Sequence, residues 1–329
     1  MDEGRLMNEN TDENIKIGIS SCLLGENVRF DSGHKKNAYI TAVLLDYFKF
    51  VPFCPEVKIG LGIPREPIRL VNIDDEVHCI GTKNSELDVT QALKDTAEEQ
   101  RNWHGDLCGY ILKKDSPSCG MARVKLYSNA DSKSNHSTKD GVGIYAQRLM
   151  ENFPFLPIEE EGRLTDAHLR ENFIQRVYIY SRWRALCDEG LTWAGLQAFH
   201  ANHKYIFMSH NQLKAKDLGA LLADTKDTNI EQLAMTYLEQ MTELLKIITS
   251  RKKHVNTLHH IQGYLKNSLD ADDKAELKEL IEGYQKGLLP LIVPITLLRH
   301  HFRRHPNEYI TNSFYMAPHP GEMMLLNNI

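Results

Sequence analysis

The sequence predicts an α/β protein in two parts: a Rossmann-like open sheet in the N-terminal half, followed by an all-α helical C-terminal domain. Three observations lead there. Short apolar runs of strand length alternate with helical stretches as far as residue 153, a Pro- and Glu-rich segment over 154–164 interrupts the pattern, and from residue 165 the apolar period is helical almost throughout. At 329 residues the chain is long enough for two domains whose cores need no disulfide staples.

Taken in order, residues 1–14 are acidic and polar, lack the apolar stretch of a signal peptide, and are expected to form a disordered leader. The first domain is expected over residues 15–153. A first strand, 15–19, runs into Ser20-Ser21-Cys22; a polar loop over 25–37 and an amphipathic helix over 38–47 follow. A second strand, 48–53, runs into Cys54-Pro55-Glu56 and a Gly/Pro-rich loop to residue 67. Strands 68–73 and 76–80 join at Asp74-Asp75, and good helix formers fill 87–103. Strand 109–113 leads to Ser116-Pro117-Ser118-Cys119-Gly120, strand 123–127 follows, and residues 128–140 read as a polar loop. Gly141-Val142-Gly143 opens a helix to residue 152 whose first N–H groups are placed to receive a polar or anionic ligand. Pro154, Pro157 and Glu159-Glu160-Glu161-Gly162 read as a linker.

In the second domain, 165–329, Thr165 or Asp166 caps a helix to 189 and Thr192 caps another through 203 and beyond. Further helices are expected at 217–222, 229–250, 255–267 and 271–286. The longest apolar run, 287–298, is too short to span a bilayer and is broken by Pro290 and Pro294, so no membrane partner is expected and a cytoplasmic location is.

The net charge of −5 gives no overall nucleic-acid signature. Its distribution is more informative: residues 1–164 hold 20 basic and 26 acidic side chains, residues 165–329 hold 19 and 18, and 11 of the 15 histidines lie in that second half.

Six cysteines without a secretory signal point to reduced thiols or metal ligands rather than a disulfide framework. Cys79, Cys108 and Cys187 lie in strand-like or helical surroundings and read as packing residues. Cys22, Cys54 and Cys119 each sit in a tight turn at the end of a strand. Because the crevice of an open α/β sheet lies beyond the carboxyl ends of its strands, these three can converge although 32 and 65 residues separate them. Three thiolates suit a four-iron cluster with one open iron, a catalytic zinc or a nucleophilic cysteine, the plain alternative being structural cysteines; the chain has no C-x2-C pair of the kind structural zinc favours. Glu56, two residues past Cys54, is placed for proton transfer, and Ser116 and Ser118 offer hydroxyls beside Cys119. The plain alternatives are a surface ion pair and a closed turn. Arg29, Asp31 and His34 lie in the loop after the first strand, where they either meet substrate or order the loop.

Ser20-Ser21-Cys22-Leu23-Leu24-Gly25, Val28-Arg29-Phe30-Asp31, Gly33-His34-Lys35, Cys54-Pro55-Glu56 and Ser116-Pro117-Ser118-Cys119-Gly120 together resemble the thiouracil desulfidase family over residues 15–150. The departures are Phe30 where tyrosine is frequent and Ser32 where glycine is frequent. The resemblance implies a [4Fe-4S] cluster on Cys22, Cys54 and Cys119, with a thiocarbonyl sulfur meeting the open iron. Water then replaces sulfur at carbon without net redox, assisted by Glu56 and Ser116. Ser21, Arg29, Asp31 and Ser118 are the expected substrate contacts.

Beyond the catalytic half, Arg251-Lys252-Lys253-His254 with His259-His260, Arg299-His300-His301-Phe302-Arg303-Arg304-His305, and His200 with His203-Lys204-Tyr205 and His210 interleave cations with aromatics. Such surfaces suit an RNA backbone and unstacked bases, the alternative being solvated helix faces. With Met316-Ala317-Pro318-His319-Pro320-Gly321-Glu322, the arrangement is similar to the helical domain fused to desulfidases that convert 4-thiouridine in tRNA to uridine. That implies tRNA as partner, with Lys252, Lys253, Arg299, Arg303 and Arg304 as contacts. A sulfur-inserting enzyme would need ATP, yet neither a Walker-type loop nor an S-G-G-x-D-S stretch is present. Two other readings stay open: desulfuration of free thiouracil or thionucleotides, and a non-enzymatic RNA-binding iron–sulfur sensor.

Overall fold

The computed structural model describes residues 15–128, 136–223, 229–320 and 325–326; the expected leader, 1–14, lies outside them. The chain divides into two compact units, Met1–Thr165 and Asp166–Ile329.

The first unit is α/β. Its main sheet is four parallel strands in the order β2 (Lys49–Phe53), β1 (Lys16–Ser20), β5 (Gly109–Leu112) and β8 (Ile158–Glu160). β1 and β5 are central and almost wholly buried, which their near-continuous apolar runs reflect. β2 lies at the edge, where Pro52 lacks only a ladder donor that no partner would use. Gly18 in β1 is there for space: a Cβ would stand 2.3 Å from the ring of Tyr110 in β5.

A second sheet was not expected. It runs β4 (Glu76–Gly81), β3 (Ile68–Ile73), β6 (Val124–Tyr127) and β7 (Ser137–Gly141), with β3 and β6 parallel and the outer pairs antiparallel. The β3–β4 turn falls at Asp74-Asp75, both at positive φ (51° and 65°), the two-residue geometry that matches strand twist. β7 lies in the stretch read as a polar loop. It is an exposed edge strand with one buried residue, so it has no apolar alternation to betray it. Ile68, Leu70, Cys79, Val89, Leu93, Val124 and Ile144 form the core under this sheet.

The segment 154–164, read as a linker, is also corrected: it contains β8, and Glu159 and Glu160 of that strand, with Glu161 just after it, are buried, each with a partner. The helices are shorter than their patterns. α1 (Ala38–Ala42) tightens into a 3-10 turn at Leu44–Asp46; α2 (Pro55–Lys58) is one turn; α3 (Thr90–Glu99) and α4 (Arg101–His104) divide the stretch expected as one helix; α5 (Ile144–Asn152) follows Gly143.

The second unit is helical among its described residues: α6 (Ala167–Asp188), α7 (Trp193–His210), α8 (Gln212–Ala220), α9 (Ile230–Leu245), α10 (Arg251–Gln262), α11 (Ala271–Gln285), α12 (Ile292–Arg304) and α13 (Glu308–Thr311). Asp166, Thr192 and Asn229 accept hydrogen bonds from first-turn N–H groups, as good N-caps do. α12 was missed because of Pro294, which sits in its first turn where no intrahelical donor is lost. Trp183 stacks on Tyr237 at 5.6 Å and meets Phe199 edge-on, joining α6, α9 and α7. No helix among the described residues is long and apolar enough to cross a membrane.

Candidate active site

Three adjacent parallel strands, β2, β1 and β5, each end in a turn bearing a cysteine. β1 passes straight into a 3-10 turn, Ser21–Leu23, containing Cys22; β2 ends at Cys54, which precedes α2; and the segment after β5 turns at Cys119. All three side chains line one cavity of about 840 Å³. Among the described residues, no three His, Cys, Asp or Glu side chains are drawn close enough together to hold a single metal ion. The sulfurs thus stand around a space rather than about a point.

Each turn is pinned by backbone bonds. The loop after Cys22 folds back on it, with Lys35 N–H donating to the Cys22 carbonyl at 2.8 Å and Asn37 N–H to the Leu23 carbonyl at 2.9 Å. The Cys119 turn is held by the start of α5: N–H groups of Gly143, Ile144 and Ala146 donate to the carbonyls of Gly120, Pro117 and Ser118. Those N–H groups, expected to be open to a ligand, are therefore spent on the turn. Carboxylates at the end of β8 complete the frame, Glu160 accepting from Met121 N–H and Glu161 from Lys114 N–H, both at 2.8 Å.

Burial and mutual proximity both resist ionisation of the thiols. Cys22 is pushed up to about 11, by burial first and then by Cys54. Cys54 is raised by burial against the opposing pull of the Val57 N–H, and Cys119 is raised further by burial, Cys54 and Glu56. Three soft donors in that state match a polynuclear cation, which would turn all three into thiolates.

Glu56 stands among them on α2. Its Oε2 accepts from Arg65, 2.8 Å from Nε and 2.7 Å from Nη2, in a pair that is nearly buried. Its Oε1 accepts from the Ser118 hydroxyl at 2.5 Å, and the Ser116 and Ser118 hydroxyls lie 3.0 Å apart. Ser118 is fully buried, whereas Ser116 lines the cavity. With the Ser118 proton on Glu56, the Ser116 hydroxyl donates to Ser118, giving a chain from cavity to carboxylate. Arg65 was not singled out from the sequence; it comes from the Gly/Pro-rich loop, whose Arg65 N–H bonds the Phe30 carbonyl. Lys113 and Glu161, paired at 2.6 Å on another wall, were also missed.

Ser21 and Arg29 line the cavity. Asp31 does not: it is exposed and closes its own loop, accepting from Gly33 N–H at 3.1 Å, a bond that lowers its pKa. His34 likewise accepts from Lys36 N–H within the loop. Of the remaining cysteines, Cys79 and Cys108 are buried, while Cys187, expected to pack, is exposed on α6.

In the helical unit, Lys252, Arg303 and Arg304 are exposed, and Lys253 reaches the Ile248 carbonyl. Arg299 is turned inward to the Met316 carbonyl and partly buried, so it anchors the chain rather than offering a surface cation. The histidines expected to strengthen a basic surface divide: His259, His260 and His300 are exposed, whereas His203, His210, His254 and His301 are buried, and burial holds His210 at about 4 and His254 at about 3, which leaves those two neutral.

Comparison with known proteins gives two family matches. Residues 17–161 match the 2-thiouracil desulfurase family, and residues 204–320 match a family described as a protein of unknown function. The chain is 27% identical over 146 residues to the uncharacterized protein YbgA of Escherichia coli (strain K12), covering 44% of this chain and 86% of that protein. It is 33% identical over 114 residues to the uncharacterized protein YbbK of Bacillus subtilis (strain 168), covering 33% of this chain and 75% of that protein. A solved structure, the [4Fe-4S]-dependent thiouracil desulfidase TudS, is 28% identical, covers 46% of this chain and 93% of that one, and has a TM-score of 0.37.

Proposed function

This chain belongs to the 2-thiouracil desulfurase family through residues 17–161, and we propose that it is an iron–sulfur-dependent, non-redox desulfidase whose substrate is 4-thiouridine in tRNA. The observation that supports this most is the ring of three cysteine turns around one cavity, with the Glu56–Ser118–Ser116 chain opening into it.

Cys22, Cys54 and Cys119 are the residues that would hold a [4Fe-4S] cluster. When bound, such a cluster supplies a Lewis-acidic iron with one site open to a soft thiocarbonyl sulfur. The protein supplies the proton handling. Arg65 orients Glu56; Glu56 draws the Ser118 proton, Ser118 that of Ser116, and Ser116 that of a water in the cavity. The water oxygen bonds to carbon, the carbon–sulfur bond breaks, the sulfur departs as hydrogen sulfide carrying the two protons of the water, and no electrons are exchanged, so no reductant is consumed. Arg29 and Ser21 are the groups at hand to orient the base. The second unit supports the tRNA reading through exposed Lys252, Arg303 and Arg304.

The test is anaerobic cluster reconstitution followed by incubation with thiolated tRNA and, separately, free thiouracil. Loss of the thiouridine absorbance of tRNA is expected; no sulfur release from either substrate while the cluster stays intact overturns the reading. Glu56→Gln should keep the cluster's colour and lose about 10²–10⁴-fold in rate, whereas a sensor with a structural cluster would be indifferent.

A further inference from the structure

We propose that Tyr264, Tyr309 and Lys204 form a stacking platform in the helical unit that takes an unstacked base of single-stranded RNA, an assignment that rests on the RNA reading of that unit given above.

Three elements meet there. α7 contributes Lys204 and Tyr205, the 3-10 turn Gly263–Leu265 contributes Tyr264, and α13 contributes Tyr309. Tyr205 is buried and stands nearly perpendicular to the other two rings, at 88° to Tyr264 and 78° to Tyr309. Tyr264 and Tyr309 lie almost parallel, 20° apart with centroids at 6.0 Å, so their faces form one offset stack supported by the third ring. The Lys204 Nζ lies 5.7 Å from the Tyr309 ring centroid and 5.9 Å from that of Tyr205.

Two features argue against simple packing. A surface tyrosine ordinarily buries its ring and leaves its hydroxyl in water. Tyr264 does the reverse: its hydroxyl accepts from that of buried Tyr205 at 3.0 Å, while the residue is 41% exposed, so what solvent meets is ring. Lys204 is exposed as well, and no ion pair occupies it among the described residues.

Charge selects the occupant. A bare aromatic pair would receive a proline ring as readily as a base, whereas an unpaired ammonium beside the rings favours a flat ring that carries a phosphate. The chain around the platform is nearly free of acid: residues 199–216 and 251–268 hold none, and 286–312 hold only Glu308. Cations flank it instead. Lys266, two residues past Tyr264, is exposed, and exposed Arg304 precedes Tyr309 by five residues, which keeps their backbones within about 18 Å of each other. A strand held at Arg304 by its phosphates therefore has a base within reach of the rings.

The experiment uses the full-length protein with tRNA and with an oligouridylate carrying a central 2-aminopurine, both unthiolated so that no turnover intervenes. Wild type should quench the 2-aminopurine emission on binding, as stacking on a ring does. Tyr264→Leu should weaken oligonucleotide binding about 5- to 150-fold and abolish the quench, with the salt slope kept because no phosphate contact is lost. Tyr264→Phe keeps the ring and should bind as wild type does, while Lys204→Ala should lower the salt slope by about one. Wild-type binding without a quench overturns the proposal, as does Y264L with wild-type affinity, or a Y264F loss as large as that of Y264L, which would put the role in the hydroxyl. If Y264L lowers the urea midpoint, Tyr309→Leu decides in its place by the same readouts. A proline-rich peptide that wild type binds and Y264L does not, with RNA binding unmoved, gives the surface to a peptide and is equally fatal. A wild-type protein that binds neither RNA sinks the RNA reading itself, an outcome distinct from variants that bind like wild type.

Discussion

Arg65 is the residue that fixes Glu56 in place. Its guanidinium is almost completely buried against a carboxylate that is itself only 13% exposed, so removing the cation leaves a buried anion without a partner. Arg65→Met should therefore destabilise the apoprotein by about 3–5 kcal/mol in urea unfolding. Adding Glu56→Gln to it should recover most of that loss, and an unchanged midpoint in the single variant would refute the pairing. Arg65 could not have been read from the sequence, since its link to Glu56 spans a loop and exists only in three dimensions. The three cysteines and Glu56 were legible because each follows an apolar run within a turn of Gly, Pro or Ser. The order of the serines was not legible. Ser118, two residues from Ser116, is the one on the carboxylate, and only the folded turn separates the inner hydroxyl from the one at the cavity.

Between elements, the tightest joint is α5 against the Cys119 turn. Gly143 has an ordinary φ of −62°, yet a Cβ there would meet the Ser118 carbonyl carbon at 2.6 Å and the Gly120 nitrogen at 2.8 Å. Both are backbone atoms, so the turn must yield. Gly143→Ala should cost about 1–3 kcal/mol and lower the iron bound per chain after reconstitution; full loading with unchanged stability would contradict this. Gly18→Ala tests the neighbouring joint, since it forces the Tyr110 ring off β1; a loss of similar size is expected in urea unfolding. Elements with apolar faces, such as β1 and β5, announced themselves. β7 and β8 did not, one being a polar edge strand and the other a three-residue strand whose buried glutamates look like linker until their partners are known.

At the scale of the whole molecule, the helical unit has a built-in acid sensitivity. Burial holds His200, His210 and His319 at about 4 and His254 at about 3, against an ordinary value of 6.5. Between those limits the unfolded chain binds protons that the folded unit refuses, so stability falls as pH drops from 6.5 towards 4 and is level above 6.5. Urea unfolding followed by circular dichroism at pH 7.5, 6 and 5 should show the midpoint starting to drop between 7.5 and 6 and dropping further between 6 and 5, and a midpoint indifferent to pH would exclude it. If tRNA is the substrate, Arg303→Ala and Arg304→Ala should each weaken its binding and lower the salt slope by about one, which a filter-binding series in potassium chloride measures. The division into two parts was clear from the change of period, whereas the second sheet was not, because pairing between β3 and β6 is a long-range choice.

The strand order has a consequence for biosynthesis. β1 lies between β2 and β5, so a chain emerging from the ribosome has Cys22 and Cys54 side by side long before Cys119 arrives, and the docking of β5 brings the last sulfur. Until then the nascent protein offers only a dithiol. On the ligand set proposed above, the third thiol joins only once most of residues 15–153 has left the exit tunnel.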